Sequence, residues 1–453
     1  MAGVALIFPY FRTRSDTEIL LPPLGAAALS GQLARLYVET RIFDCTFQTF
    51  DQVRRALNGH QPDIVGIYSM IGLKSAAARI AEMVRADLPR SLLVAGGPMP
   101  TLYPERYDRW VDAVFRGEAD LSFTRFCRDY LQAGLSRDRL GELPLDSYEG
   151  LFASRPGLRV DNPGVHYPEE IMATFPLMDR EGFDHASYQK EWLVKAGTKT
   201  TSIITTLGCP FDCDFCSKPV FGSRFRRRNL DTVFEEIERI RSLGYEDLWI
   251  ADDSLTLSRP FLDEFCSRIA GKGIGWSCLA RAGGVDEDMT RRMKEAGCRK
   301  VYLGLESGNP ETLKLMNKRV TVEEGGEAVH LYRKAGIRVG AFWLVGYPGE
   351  TVSSIEQTFR SALALPLDEI SFNVPFPLPG SRLFDRVGGV DEETDWQSEN
   401  DITFVYRSEH DEGWLRRRIG ETMQTFAQKQ RTRIQSSRKL VSFTGSDATR
   451  GTL

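Results

Sequence analysis

The chain has 453 residues, enough for two or three domains with buried cores at ~150 residues each. Its 58 basic and 62 acidic residues leave a net charge of −4, which argues against a general nucleic-acid or membrane-surface binder. Hydrophobic residues make up 42% of the chain, but no apolar run reaches the ~18 residues a membrane-spanning helix needs. The start, MAGVALIFPYF, is apolar, short and without a basic flank. It reads as a first strand and not as an export signal, so a cytoplasmic location with reduced thiols is expected.

Residues 1–134 alternate strand and helix. GVALIFP (3–9), VETRIFD (38–44), DIVGIYS (63–69), SLLVAGG (91–97) and DAVFRGE (112–118) are β-prone, with helical stretches between them. This predicts a five-stranded, doubly wound parallel sheet of α/β class. Ligands on such sheets bind at the carboxyl ends of strands. Those ends carry Asp44, Ser69, Gly96-Gly97 and Gly117-Glu118. A helper sheet that packs without a ligand is the alternative.

Residues 135–200 are broken by Pro144, Pro156, Pro163, Pro168 and Pro176 but hold Phe152, Phe183, Tyr188 and Trp192, which predicts an ordered linker and lid. Over 201–385 a second series follows, with strands at TSIITT, DLWIA, IGWSCLA, KVYLGLE, VGAFWLVG and EISFNV. Six βα units predict a partial (βα)6 barrel with its chemistry at the C-terminal strand ends. Residues 386–453 carry one short amphipathic helix, with Leu415, Ile419, Met423 and Phe426 at helical spacing, and a polar tail expected to be loose from Ser436.

Of eight cysteines, five are scattered in apolar or helical context, where a small buried hydrophobe is expected. Cys209, Cys213 and Cys216 share one loop after the first barrel strand, spaced C-x3-C-x2-C. Thiolates hold iron–sulfur clusters, normally four to a [4Fe–4S] group. With three, one iron stays open to another ligand. Zinc is the rival, but no His is near in sequence, and a disulfide is disfavoured by compartment and odd count.

This loop, with Phe215 before its last cysteine, resembles the radical SAM superfamily. The order of PPLG (22–25), PDIVGI (62–67), GGPMPT (96–101), RGE (116–118), ADDS (251–254), AGC (296–298), GLESG (304–308), GYPGET (346–351) and PLPGS (377–381) resembles its branch with an N-terminal cobalamin-binding-type domain. The resemblance implies a [4Fe–4S] cluster and S-adenosylmethionine (SAM), and allows cobalamin. In the family the open iron chelates the methionine part of SAM, and one electron cleaves it to a 5′-deoxyadenosyl radical. A reductase or flavodoxin-type donor then supplies the electron, and a small natural product is the expected substrate.

The resemblance also suggests roles. Phe215 packs on adenine, Arg281 meets the SAM carboxylate, Glu306 and Ser307 accept from ribose or the methionine amine, and Gly346 admits adenine close to the backbone. Asp252, Asp253, Tyr347 and Glu350 are the candidate catalytic groups. Ordinary alternatives stand beside each: core packing for Phe215 and Tyr347, a helix cap for the aspartates, a structural ion pair for Arg281. Arg224, Arg226, Arg227 and Arg228 form a solvated face or a docking patch for the electron donor.

Two reactions fit. One is C-methylation through cobalamin, with a second SAM making the radical. The other is radical dehydration, resembling the C3′-deoxygenating aminoglycoside dehydratases of apramycin biosynthesis, with Asp252 or Glu350 assisting hydroxyl loss. Asp184-His185 lacks the D-x-H-x-x-G spacing of a lower cobalt ligand, Met99 stands where relatives carry His, and the C-terminal region is short. The last two features favour dehydration.

Overall fold

A computed structural model describes residues 3–12, 20–390 and 402–444. The N-terminal sheet has seven strands in the order β2-β1-β3-β4-β5-β6-β7. These are β1 (Val4–Phe8), β2 (Thr40–Asp44), β3 (Ile64–Tyr68), β4 (Leu92–Gly96), β5 (Ala113–Phe115), β6 (Leu151–Arg155) and β7 (Leu158–Asp161). The first five run parallel, as expected. The last two form an antiparallel hairpin on the β5 edge. They come from the stretch read as a linker and lid, whose short strands hold too few residues to show a period. Helices cover both faces, burying Ile7, Val65 and Leu93 on one and Val4, Leu6 and Phe126 on the other.

The second sheet has six strands, all parallel, in the order β15-β14-β13-β12-β11-β8. They are β8 (Thr200–Ile203), β11 (Asp247–Ile250), β12 (Gly275–Ala280), β13 (Cys298–Glu306), β14 (Arg338–Leu344) and β15 (Glu369–Asn373). This is the partial barrel read from the sequence. Side chains alternate along most of it, with register shifts at Trp276/Ser277 and Gly304/Glu306. Val301, Leu303 and Leu305 of β13 and Val339, Ala341 and Trp343 of β14 pack under the helices. Two further strands, β9 (Thr206–Leu207) and β10 (Arg226–Arg227), pair as a small antiparallel hairpin on either side of the cysteine loop.

The C-terminal helix runs Glu412–Thr444, through the Ser436 where a loose tail was expected; the tail after Thr444 lies outside the described residues. It packs against the barrel helix Val352–Ala364. Leu415 and Ile419 of the predicted stripe are buried, whereas Met423 is exposed. Among the described residues, no helix is long and apolar enough to cross a membrane.

A buried charge cluster joins three parts of the chain. Glu236, on the barrel helix Leu230–Ser242, accepts from Arg180 at 2.6 Å and from Arg228 at 2.8 Å. All three side chains are nearly inaccessible. Glu236 is held ionised, below its ordinary value, by its two guanidinium partners against the opposing effect of burial. Glu236→Ala leaves two buried cations unpaired and is expected to cost about 3–5 kcal/mol. Denaturant unfolding checks this, and an unchanged midpoint would show that the pair carries no net stability.

Candidate functional site

The cysteine loop hangs between β9 and β10 at the C-terminal end of β8. It is fastened from below. Asp214 is buried, donates its N–H to the Met316 carbonyl at 3.0 Å and pairs with Arg386 at 2.5 Å. The Leu383 N–H reaches back to the Asp214 carbonyl at 3.0 Å, and Asn317 donates to the Asp212 carbonyl at 2.6 Å. Phe211 lies under the Arg281 guanidinium, 3.5 Å from its ring centre. The three cysteines are free thiols, each partly exposed, while the other five are buried. Burial pushes the Cys216 thiol up to about 11. Binding as thiolate must therefore displace protons. Three accessible thiols on one pinned loop are the donor set a cluster needs, because each thiolate there meets a different iron.

The other expected residues divide. Asp253 is solvent-open and accepts from the Gly208 N–H at 2.9 Å, beside the loop; desolvation by surrounding protein still raises its carboxyl. Glu306 ends β13 at a register shift, with φ +61°, and pairs with Lys318 at 2.7 Å. Lys318 in turn lies 5.9 Å from the ring centre of Phe215, whose ring packs edge-on against Tyr347. These residues gather around the loop. A non-glycine at positive φ is strained, and such strain concentrates at functional sites.

Four expected residues are turned inward. Asp252 is buried and accepts from the Thr205 N–H and from both the Thr205 and Thr206 hydroxyls, at 2.5–2.8 Å. Its oxygens are spent holding the end of β8. Ser307 is buried against the Thr358 hydroxyl at 2.9 Å. Glu350 accepts from the Tyr347 N–H at 2.8 Å and the Thr312 hydroxyl at 3.2 Å, under the loop that follows β14. Gly346, at φ +78°, is approached by Phe404: a Cβ there would meet its ring at 2.7 Å. The backbone opening expected for adenine is thus taken by the C-terminal segment. That segment also donates from the His410 ring Nε2–H to the Tyr347 carbonyl at 3.2 Å. Arg281 stacks on the cysteine loop and donates to the Arg319 carbonyl at 2.6 Å.

The arginine run is structural in large part. Arg228 pairs with Glu236 and Arg227 with Glu169 at 2.6 Å. Arg226 is buried and reaches across to Glu118, at the C-terminal end of β5, at 2.6 Å. Beside that bond the short helix Pro98–Leu102, which follows β4, packs on Lys218–Phe221, which follows the last cysteine. The carboxyl rim of the first sheet and the cysteine loop are therefore in direct contact, which no local motif announces.

On that rim Asp44 is closed off by Tyr188 at 2.7 Å and Thr46, and Ser69 by Tyr107 at 2.7 Å. What remains accessible is the Gly96-Gly97 turn and the partly exposed rings of Phe8 and Tyr68, whose centres are 5.5 Å apart. A Cβ on Gly97 would strike the Ser69 carbonyl and the Tyr68 ring. The Gly96-Gly97 turn and these two rings, tilted 45° to each other, are the ledge of the rim that could hold the apolar face of a corrin. Met99 is buried in the core of the sheet, so its identity does not bear on a corrin at the rim. His185 bonds Tyr245 at 2.8 Å and the Arg180 carbonyl, and burial lowers it. It offers no lower ligand there.

A radical SAM superfamily model matches residues 203–362 and a B12-binding domain model residues 16–126. An uncharacterized methyltransferase of Pyrococcus horikoshii, PH0819, is 30% identical over 80% of this chain and 78% of its own. The chain belongs to the radical SAM superfamily, in its B12-binding branch. This radical SAM enzyme is also 26% identical to the anaerobic magnesium-protoporphyrin IX monomethyl ester cyclase of Rubrivivax gelatinosus, over 89% of the chain and 73% of the relative. It is 25% identical to the cytidylyl-2-hydroxyethylphosphonate methyltransferase of Streptomyces wedmorensis, over 84% and 81%. Its fold matches that of TsrM from Kitasatospora setae, a radical SAM methyltransferase solved with cobalamin and a [4Fe–4S] cluster (TM-score 0.70, 18% identity, 85% and 74% covered). The enzyme's cofactors are those of the superfamily, a [4Fe–4S] cluster and SAM, and the match to a B12-binding domain supports cobalamin beside them.

Burial raises Glu350 from its ordinary 4.5 to about 7. Such a group favours the folded state fully below pH 4.5, and that advantage is lost as pH rises through about 7. Over this window the native enzyme is expected to lose about 3 kcal/mol relative to Glu350→Gln. Unfolding measured at several pH values checks it; parallel pH slopes for the two proteins would refute the assignment.

Proposed function

We propose that this enzyme is a cobalamin-dependent radical SAM C-methyltransferase acting on a small molecule. The observation that carries the reading is the contact between the two halves. The Glu118–Arg226 bond and the Pro98–Leu102 helix set the ledge of the first sheet against the cysteine loop. A methyl carrier and a radical source serve one substrate carbon only if both face the same space, and this contact supplies that adjacency. Methyltransferases among the relatives support the same reading.

Cys209, Cys213 and Cys216 would hold the cluster and Gly96, Gly97, Phe8 and Tyr68 the corrin. When bound, the cluster supplies one electron to cleave SAM and the corrin carries a methyl group. Asp214 and Arg386 keep the cysteine loop in place, and Phe211 under Arg281 does so from the other side. Glu306 and Lys318 offer a paired carboxylate and ammonium to the polar part of SAM. Asp253 is the acid best placed to meet substrate. Asp252 and Glu350 act as positioning residues, because their oxygens already serve backbone and hydroxyl donors.

Dehydration is the weaker reading. It asks for a carboxylate free to help the hydroxyl leave; Asp252 and Glu350 are buried and engaged, which leaves Asp253 for that task, and the methyltransferase relatives tip the balance to methyl transfer.

An acidic reductase or flavodoxin-type donor is the proposed partner, in the cytoplasm. Its site is not the arginine run, three of whose four members are paired within the fold.

Anaerobic reconstitution with cobalamin, SAM and a strong reductant tests the proposal. Bound corrinoid is expected in the visible spectrum, with S-adenosylhomocysteine and 5′-deoxyadenosine forming together. Corrinoid-free enzyme that makes only 5′-deoxyadenosine would overturn methyl transfer. Cys213→Ala should abolish the cluster absorbance and 5′-deoxyadenosine while leaving corrinoid uptake in place. An intact cluster spectrum would remove Cys213 from the ligands.

A further inference from the structure

The barrel has two faces, and one of them is unusual. Residues facing the helices are packed dry: Leu248, Ile250, Val301, Leu303, Val339 and Ala341 are at most 1% exposed. Strand register puts the intervening residues on the inner face. There Trp249, Leu279, Tyr302, Phe342 and Leu344 are all partly exposed. Large apolar side chains left wet inside a barrel imply a lumen that something apolar fills.

The aromatic members form one continuous shelf. Trp249 meets Tyr302 edge-on at 5.5 Å, and Tyr302 stacks on Phe342 at 5.4 Å with 19° between planes. Gly340 is what lets the Tyr302 ring lie across β14, since a Cβ there would stand 2.4 Å from that ring. The shelf is anchored from below: the Tyr302 hydroxyl donates to Glu369, which also pairs with Lys300 at 3.0 Å and Arg338 at 2.9 Å. Above it lie Glu306–Lys318 and the cysteine loop.

The charges restrict what the lumen takes. Glu369 is neutralised by Lys300 and Arg338, and Glu306 by Lys318. A polyammonium sugar finds those two carboxylates already paired and meets an open one at Asp253, beside the cysteine loop, whereas a planar ring finds three aromatic neighbours on the shelf itself.

We propose that Trp249, Tyr302 and Phe342 form the substrate shelf of the barrel, and that the substrate presents a planar aromatic or conjugated ring to it. Aromatic contacts favour offset or edge-on rings and add about 3- to 10-fold in affinity each beyond area burial. This rests on the enzyme reading only in taking the lumen as the substrate side of the site.

Calorimetric titration of the cluster-loaded holoenzyme, with SAM and without reductant, tests it. Indole and the aminoglycoside neamine are the probes. Indole is expected to bind saturably and neamine not. Trp249→Leu and Phe342→Leu keep apolar volume but lose the ring, and each should weaken indole about 3- to 10-fold. Trp249→Phe keeps a ring and should recover most of the affinity. Cluster absorbance equal to wild type shows that a variant is folded. Absence of indole binding, saturable neamine binding, or leucine variants that bind indole as wild type does would overturn the shelf. None of these readouts needs turnover, so a failed methyl-transfer assay leaves the binding result standing.

Discussion

A radical must be made where its target and its partner cofactor can reach it, so the cysteine loop has to be held still against two neighbours at once. Here that is done by charge. Asp214 and Arg386 fasten the loop to the barrel's last helix, and Arg226 fastens its flanking hairpin to Glu118 of the first sheet. Both bonds join partners far apart in the chain, and in both at least one partner is buried. In low dielectric a paired charge holds geometry well, and an unpaired one is costly, so the loop has few alternative positions.

The same logic explains where the acids went. Asp252 and Glu350 are buried carboxylates just beyond strand ends, and each is engaged by donors from neighbouring segments. Such groups read from sequence as chemistry because they are acidic residues at the active end of a barrel. Their burial turns them into fasteners. Asp253, one residue from Asp252, is open. Strand-end geometry sends consecutive side chains to opposite sides, so neighbours in sequence meet opposite environments.

Most of the architecture was legible because it is written locally. Strand-forming stretches placed all six barrel strands to within three residues at either end, and alternation with helices implied parallel pairing. The hairpin β6–β7 was not legible, since its prolines and short strands carry no period. Nor was the role of the arginine run. A cluster of like charges looks solvated until its acidic partners arrive from residues 118, 169 and 236.

The sequence by itself determined the three-cysteine loop, the partial barrel behind it and the strand–helix sheet in front, because spacing and periodicity are properties of neighbouring residues. Only the tertiary structure decided which side chains are free to act. Met99 turned into the core, Gly346 was covered by Phe404, and Trp249, Tyr302 and Phe342 came together from three strands into one shelf. Burial and contact depend on residues tens to hundreds of positions away, and no local pattern encodes them.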